Sequence, residues 1–531
     1  MKRFILITLV LSMLAAVTGC AVEDKIKEQL DKIFPEEERQ TSEEKELIEK
    51  PNIINMGVYD FDTFNPLTTK SRSVAEAMQL VYEPLFTVDG EMRAQAVLAS
   101  DFNVSADGKT ININLKQNVT WHDGTQFTAK DVAYTIKVIL AGETEYTQSL
   151  SNLADYTMTD DYSIQLVLKN SVPRFEATLT FPIVQYQTDM KADESYIPNG
   201  TGPFYYASKA RVDELRFEAY ENYYGGRANI DTLYIHKLPS SAEYLTMLEA
   251  SEIDFASSET VDLSTYMPKA NLEIYNFPSN KMVFLGYNLE NEMLVGANTR
   301  NGISELIDKE DIVETAIFSR GTAVNIPVNP SSYLYYIEET DFSSDKLTAD
   351  DFLGNDGWGP NADGQYVREV DGVEQVMSFE ILVNADDADL TSTAQTISEH
   401  LNNFNIQTVV SEVSSDEFES RIAAKDYDMF VDRIDTGNNG DLSAIVSSEG
   451  NPMGYNNPAV DAICAQLGMT RDEEEEKALT KQYCSLILND MPFLPLYFEK
   501  GTVLSTTNVI SGVDPTESFL YKNSSQWSVR E

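Results

Sequence analysis

The chain opens on a mainly apolar stretch, from Phe4 to about Val17, between the basic start Met1-Lys2-Arg3 and Gly19-Cys20. A short basic start, an apolar run too short to cross a bilayer comfortably and a small residue before a cysteine predict a secretory signal over 1–19, not a membrane span. From Ala21 to Lys50, Glu and Lys dominate and large apolar residues are few. This composition predicts a solvated acidic tether over 20–50, with Val22, Ile26, Leu30 and Ile33 at the spacing of a short amphipathic helix.

After Pro51 the pattern alternates between the two periods of regular structure. Ile111-Asn112-Ile113-Asn114-Leu115 has the period of two of a half-buried strand. Thr128-Ala129-Lys130-Asp131 reads as a capping box opening a helix whose buried stripe is Val132, Ile136 and Leu140. Further strands are predicted over 215–219, 233–235 and 379–383, and helices over 242–250, 391–404 and 473–488. Strands and helices interleave without a fixed period, which excludes a repeat architecture and predicts a mixed α/β (α+β) chain of more than one lobe.

Composition narrows the function classes. The 531 residues are 42% hydrophobic, as in a folded globular protein with several cores. Against 39 basic residues stand 86 acidic ones, a formal charge of -47 that repels phosphate backbones and excludes nucleic-acid binding. Docking on anionic lipid by charge alone is equally disfavoured, so a covalent tether is the sensible route to a membrane. Besides Cys20 there are only Cys464 and Cys484, so no disulfide framework is needed, and the sequence leaves open whether these two pair or stay as buried thiols.

The usual catalytic arrangements are missing. The three histidines, His122, His236 and His400, are far apart, and no HExxH, GxSxG, Walker or GxGxxG pattern occurs. His400 reads as a helix-surface residue and His122 as a turn residue bonded to backbone. Carboxylates are so common that any pair of them is uninformative. Neither enzyme chemistry, a metal nor a cofactor is implied. The clearest candidate for a cleft wall is Tyr59-Asp60-Phe61-Asp62-Thr63-Phe64-Asn65-Pro66, where rings stand beside polar groups. The competing reading is that these rings cover the edge of a core.

Longer motifs carry a resemblance. Val17-Thr18-Gly19-Cys20 resembles the bacterial lipobox, which implies cleavage before Cys20 and lipid on its thiol. Leu98 to Phe102, Ala106-Asp107-Gly108, the 111–115 strand and Val119-Thr120-Trp121-His122-Asp123-Gly124-Thr125 through Val132 together resemble the signature of the family 5 extracellular solute-binding proteins. Gly200-Thr201-Gly202-Pro203-Phe204, Glu221 to Gly226, Glu252-Ile253-Asp254, Leu285 to Asn288, Arg300 to Ile312, Gly454 to Pro458 and Met491 to Tyr497 continue it. The resemblance implies a two-lobed periplasmic-binding-protein fold of type II. Its first lobe would be 51–86 with 198–282 and 495–531, a small domain 87–197, and the other lobe 283–494. Hinge crossings are expected near 278–284 and 494–499.

It also implies a function: a lipid-anchored, monomeric receptor outside the cytoplasm that captures peptides and hands them to the permease of an ABC importer. The alternatives are a same-fold receptor for a sugar or metal chelate, a sensor or chaperone, and a secreted hydrolase. In peptide-binding members a carboxylate after a Gly-Trp pair holds the peptide amine. Here Arg433-Ile434 replaces that pair and Gly437 or Asn438 falls where the carboxylate should be, which leaves Asp435 or Asp441 for the amine. Asp432 and Asn438 belong to the same candidate segment. Arg433, and Arg72 on the first lobe, are candidates for a ligand carboxylate, with a structural ion pair as the competing reading for each.

Overall fold

A computed structural model of the protein describes residues 52–142, 144–211, 213–258, 261, 263, 271–336, 348–507 and 511–529. The signal, Cys20 and the tether expected over 1–50 lie outside the described residues. No helix among the described residues is long and apolar enough to cross a membrane.

Two four-stranded sheets share one core. The first runs Ile53–Val58, Thr232–Lys237, Glu214–Ala219, Phe204–Arg211, with only its first pair parallel. The second is antiparallel, in the order Ala99–Val104, Thr110–Leu115, Ser163–Leu168, Leu153–Asp160. The alternation read around Ile111 is realised there: Ile111, Ile113 and Leu115 are buried while Asn112 and Asn114 face out and bond laterally to Asn103 and Asp101. The helix Ala129–Ala141 follows, and Asp131 closes its N-terminus by accepting from Thr128 N at 2.7 Å. Its stripe differs from the expected one by one residue. Val132, Ile136 and Ile139 are fully buried, whereas Leu140 is 46% exposed. At about 100° per residue, Ile139 returns to within about 20° of Val132, and Leu140 lies about 80° away.

The two sheets and this helix enclose a continuous core that includes Ile54, Ile111 and Trp121. A third, mixed sheet runs in the order Phe255–Ser257, Phe493–Thr506, Leu272–Tyr287, Met429–Asp435, Ser378–Asn384, Gln407–Val413, with Gly321–Ala323 added on Phe493–Thr506. Its two longest strands pass from one core to another: Phe277 and Val503 pack in the first core, Val283 and Leu496 in a second. Their antiparallel register breaks between Pro278 and Met282. Proline removes a ladder donor and a bulge bends the strand, so the break falls where the ladder is weakest.

The remaining expected helices appear as Ala242–Glu249, Ala388–Asn403 and Glu473–Asp490. Cys464 and Cys484 are free thiols, and burial pushes both up to about 12, so neither is a ready nucleophile.

Candidate functional site

The segment after the strand Met429–Asp435 is shaped by its own backbone. Thr436 donates to Asn280 O through both N (3.0 Å) and Oγ1 (2.9 Å). Gly437 and Gly440 sit at φ of 59° and 65°, where a side chain would be strained, and Asp441 N returns to Thr436 O at 2.8 Å. The result is a tight loop over 436–441 whose far end, Asp441, accepts from Ser443 N at 2.9 Å.

This loop forms one wall of a cavity of about 800 Å³, the size of a small-molecule site. The opposite wall comes from 148–152 and 170–174, and the floor from 327–334 and 461–483. The lining mixes apolar side chains with amides and hydroxyls, and several of the amides already hold the walls together. Asn439 Nδ2 donates to Pro173 O (3.1 Å), Asn329 Nδ2 to Ser279 O (2.9 Å) and Asn152 Nδ2 to Asn170 O (2.6 Å).

The candidate residues divide into three groups. Asp441 lines the cavity. Asn438 stands beside it, accepting from Asn280 Nδ2 at 2.9 Å and donating to Thr180 Oγ1 at 3.5 Å. Asp435 is exposed at the strand end and accepts from Gly437 N at 2.8 Å, outside the cavity lining.

Arg433 and Asp432 form the second group. Arg433 lies between two carboxylates, with Nη1 2.9 Å from Asp387 and Nε 2.6 Å from Glu499. Glu499 lies on one of the crossing strands and Asp387 caps the helix Ala388–Asn403, so this arginine ties the strand Met429–Asp435 to both. Asp432 accepts from Arg433 N at 2.8 Å, yet burial pushes its carboxyl up to about 6 against that bond and the Arg433 charge.

The third group lies outside the cavity lining. Tyr59 meets Tyr244 edge-on at 6.2 Å, and Phe61 meets Phe64 at 4.7 Å under the ammonium of Lys237. Asp62 closes its own loop, accepting from Thr69 Oγ1 (2.6 Å) and Lys70 N (2.7 Å), while Asp60 is exposed at a φ of 49°. Arg72 Nε lies 3.5 Å from the buried carboxylate of Glu76 one turn on. None of these five lines the cavity, and the two rings cover a core edge.

Sequence reading missed the residue that meets the loop from across the cavity, Arg174, and the ring it stands over, Tyr333. Arg174 Nη2 donates to Asn439 O, and its guanidinium stands 5.8 Å from the Tyr333 ring. The only signal was a polar break, Asn170-Ser171, after an apolar strand.

The histidines serve structure. His122 Nδ1 accepts from Gly200 N (3.1 Å) and its Nε2 lies 2.9 Å from Gly202 O. His236 lies 3.1 Å from Asn55 Oδ1, and His400 lies 2.9 Å from Asp311. Among the described residues no group of three or more His, Cys, Asp or Glu is placed to hold a metal ion.

Comparisons with known proteins agree on one family. Residues 93–452 match the model of the bacterial extracellular solute-binding proteins, family 5 middle. The oligopeptide-binding protein AppA of Bacillus subtilis is 22% identical over 474 residues, covering 84% of this chain and 86% of that protein. The glutathione-binding protein GsiB of Escherichia coli is 22% identical over 462 residues, covering 83% and 86%. Among solved structures, the nickel ABC transporter protein of Bacillus halodurans superposes with a TM-score of 0.75 at 20% identity, over 90% of this chain and all of that one. AppA of Bacillus subtilis in complex with a nonapeptide gives 0.60 at 21% identity, over 91% and 100%. The helices and sheets thus have the two-lobe arrangement of periplasmic binding proteins, and the chain belongs to family 5 of the bacterial extracellular solute-binding proteins.

Proposed function

We propose that this chain is the lipid-anchored peptide receptor of an ABC importer. Cleavage before Cys20 leaves a thiol for lipid, and the 20–50 tether holds the binding unit off the membrane. The two lobes, 51–86 with 198–282 and 495–531 on one side and 283–494 on the other, move about the strands that cross at 278–284 and 494–499. The 87–197 domain completes one wall of the site. Solute drives the movement only as far as it binds one arrangement more tightly than the other. A tethered receptor also stays at high local concentration beside its permease.

The observation that carries this reading is the carboxylate of Asp441 on the wall of an 800 Å³ cavity, in the segment that resembles the family's amine-binding loop. The cavity's amides and hydroxyls suit a peptide main chain, which offers N–H and C=O alike. Relatives named for oligopeptides and glutathione support the same solute class.

The test is to purify the full chain from its own host, denature it and identify the released solute by mass spectrometry. A pool of peptides is the expected result. A sugar or a metal chelate would overturn the peptide assignment and keep the receptor role, and no solute from any preparation would overturn both. For the anchor, radiolabelled fatty acid should label the wild type, and Cys20→Ala should remove the label.

A further inference from the structure

A set of contacts joins the 87–197 domain to the 283–494 lobe. Arg174 Nη2 donates to Asn439 O in the 436–441 loop, and Asn439 Nδ2 returns to Pro173 O at 3.1 Å. Arg93 bonds Glu473 at 2.9 Å and lies 4.5 Å over the Tyr333 ring. Tyr333 donates its N–H to Glu91 O at 3.0 Å and its hydroxyl to Glu476. Arg471 stands 3.5 Å from Glu176, an ion contact without hydrogen-bond geometry. Backbones also meet: a Cβ on Gly108 would lie 2.6 Å from Gly468 O, and one on Gly440 would lie 2.9 Å from the Arg174 guanidinium.

Two physical features set this interface apart from ordinary packing. It is ionic in a chain of strongly acidic balance, with three of its arginines facing carboxylates or a carbonyl of the opposite part. It is also buried in part. Arg174 Nε, Arg471 Nη2 and Glu176 Oε2 are buried and have no hydrogen-bond partner among the described residues, so the ionic pairing around them is needed to offset the cost of burying them. Burial pushes the Glu176 carboxyl up, opposed by Arg471 and Arg174, while Glu476 adds to the rise. Breaking one member leaves the others exposed to the same penalty.

We propose that Arg174 is a positioning residue for solute capture: with the Arg93–Glu473 and Arg471–Glu176 pairs it forms a clasp that, together with the bonds that Thr436 and Asn438 make with Asn280 on a crossing strand, fixes the 436–441 loop as a wall of the cavity. The proposal rests on the receptor reading only for the purpose of the clasp. Solute release through this wall then requires the small domain to part from the 283–494 lobe, and salt weakens the exposed pairs that hold it.

The test needs no solute. Spin labels on Lys130→Cys and Gln482→Cys, both exposed, are placed in the full chain carrying Cys464→Ser, and the distance between them is measured by pulsed electron resonance. The wild type is expected to give one narrow distance at low salt and a second, longer population in 1 M NaCl. Arg174→Gln should show that longer population at low salt, raised at least threefold. Arg93→Glu should do the same, and adding Glu473→Arg should restore the narrow distance. This rescue keeps the test decisive if Arg174→Gln fails to fold. A distribution unchanged by salt and by these variants, or a charge swap without rescue, would overturn the clasp and leave the receptor reading intact. Failure to recover any solute would overturn the receptor reading and leave the clasp.

Discussion

Glu83 accepts a 2.9 Å hydrogen bond from Thr201 Oγ1 across 118 residues of chain. Its other oxygen accepts from Tyr223 and Tyr224, each at 2.8 Å, so one buried carboxyl joins the 200–203 turn to the 221–226 turn. Burial raises Glu83 to about 7, and the three hydroxyls and the Lys116 charge lower it only in part. An unfolded glutamate loses its proton near 4.5, the folded one near 7. The stabilisation is therefore complete below pH 4.5 and is lost as pH rises through 7, by up to about 3 kcal/mol. Glu83→Gln keeps an acceptor for the tyrosines and has no proton to lose. Thermal unfolding followed from pH 5 to 8.5 should fall less steeply for Glu83→Gln than for the wild type, and parallel curves would refute this.

His122 acts on the same turn with the opposite sign. Burial lowers it to about 4, against the Gly202 bond and the Asp123 charge, because the Gly200 N–H requires an unprotonated Nδ1. The unfolded histidine takes a proton near 6.5 and the folded one only near 4. Stability is thus fully present above 6.5 and falls as pH drops towards 4, by up to about 3 kcal/mol. His122→Gln should lose this acid-side slope in denaturant titrations at pH 4.5 and 7. Histidine resonances followed by NMR should show one ring that does not titrate above pH 5.

Arg433 was a candidate for meeting a ligand carboxylate, and its environment predicts a stability role. It is 29% exposed and Glu499 21%, between a surface pair and a buried one. Arg433→Met should cost about 1 to 3 kcal/mol in urea unfolding, since it removes the guanidinium that Glu499 and Asp387 share. A double-mutant cycle with Glu499→Gln should recover about half of that. Additive costs would mean that the two do not interact.

How far these arrangements could be read from the chain depends on the distance between partners. The 111–115 strand and the Thr128–Asp131 cap were legible because their determinants are local: alternation, and two polar groups three residues apart. The register error at Leu140 is also local, since Val132 and Leu140 look equivalent until the helical drift between them is counted. Arg174 was illegible because its partner is the main-chain carbonyl of Asn439, 265 residues on, and a carbonyl leaves no mark in a sequence. Arg433 was readable as a charge in the right segment, but its partners lie on another strand and at a helix N-terminus. Tyr59 and Phe61 show the converse: rings beside polar residues look alike in a sequence at a cleft wall and at a core edge.

The choice between Asp435 and Asp441 for a peptide amine follows from the same geometry. Asp435 is exposed, caps the Gly437 amide and is outside the cavity lining, whereas Asp441 lines the cavity while one of its oxygens accepts from Ser443 N. A charge-assisted bond to an ammonium contributes about 1.5 to 3 kcal/mol, or roughly ten- to hundredfold in affinity. With one peptide from the recovered pool, titration calorimetry should show Asp441→Asn weakening binding by at least tenfold and Asp435→Asn changing it less than threefold. N-acetylation of that peptide should weaken wild-type binding by a similar factor and leave Asp441→Asn nearly unaffected, because the same contact cannot be lost twice. Equal affinities of the free and acetylated peptide for the wild type would remove both aspartates from the role.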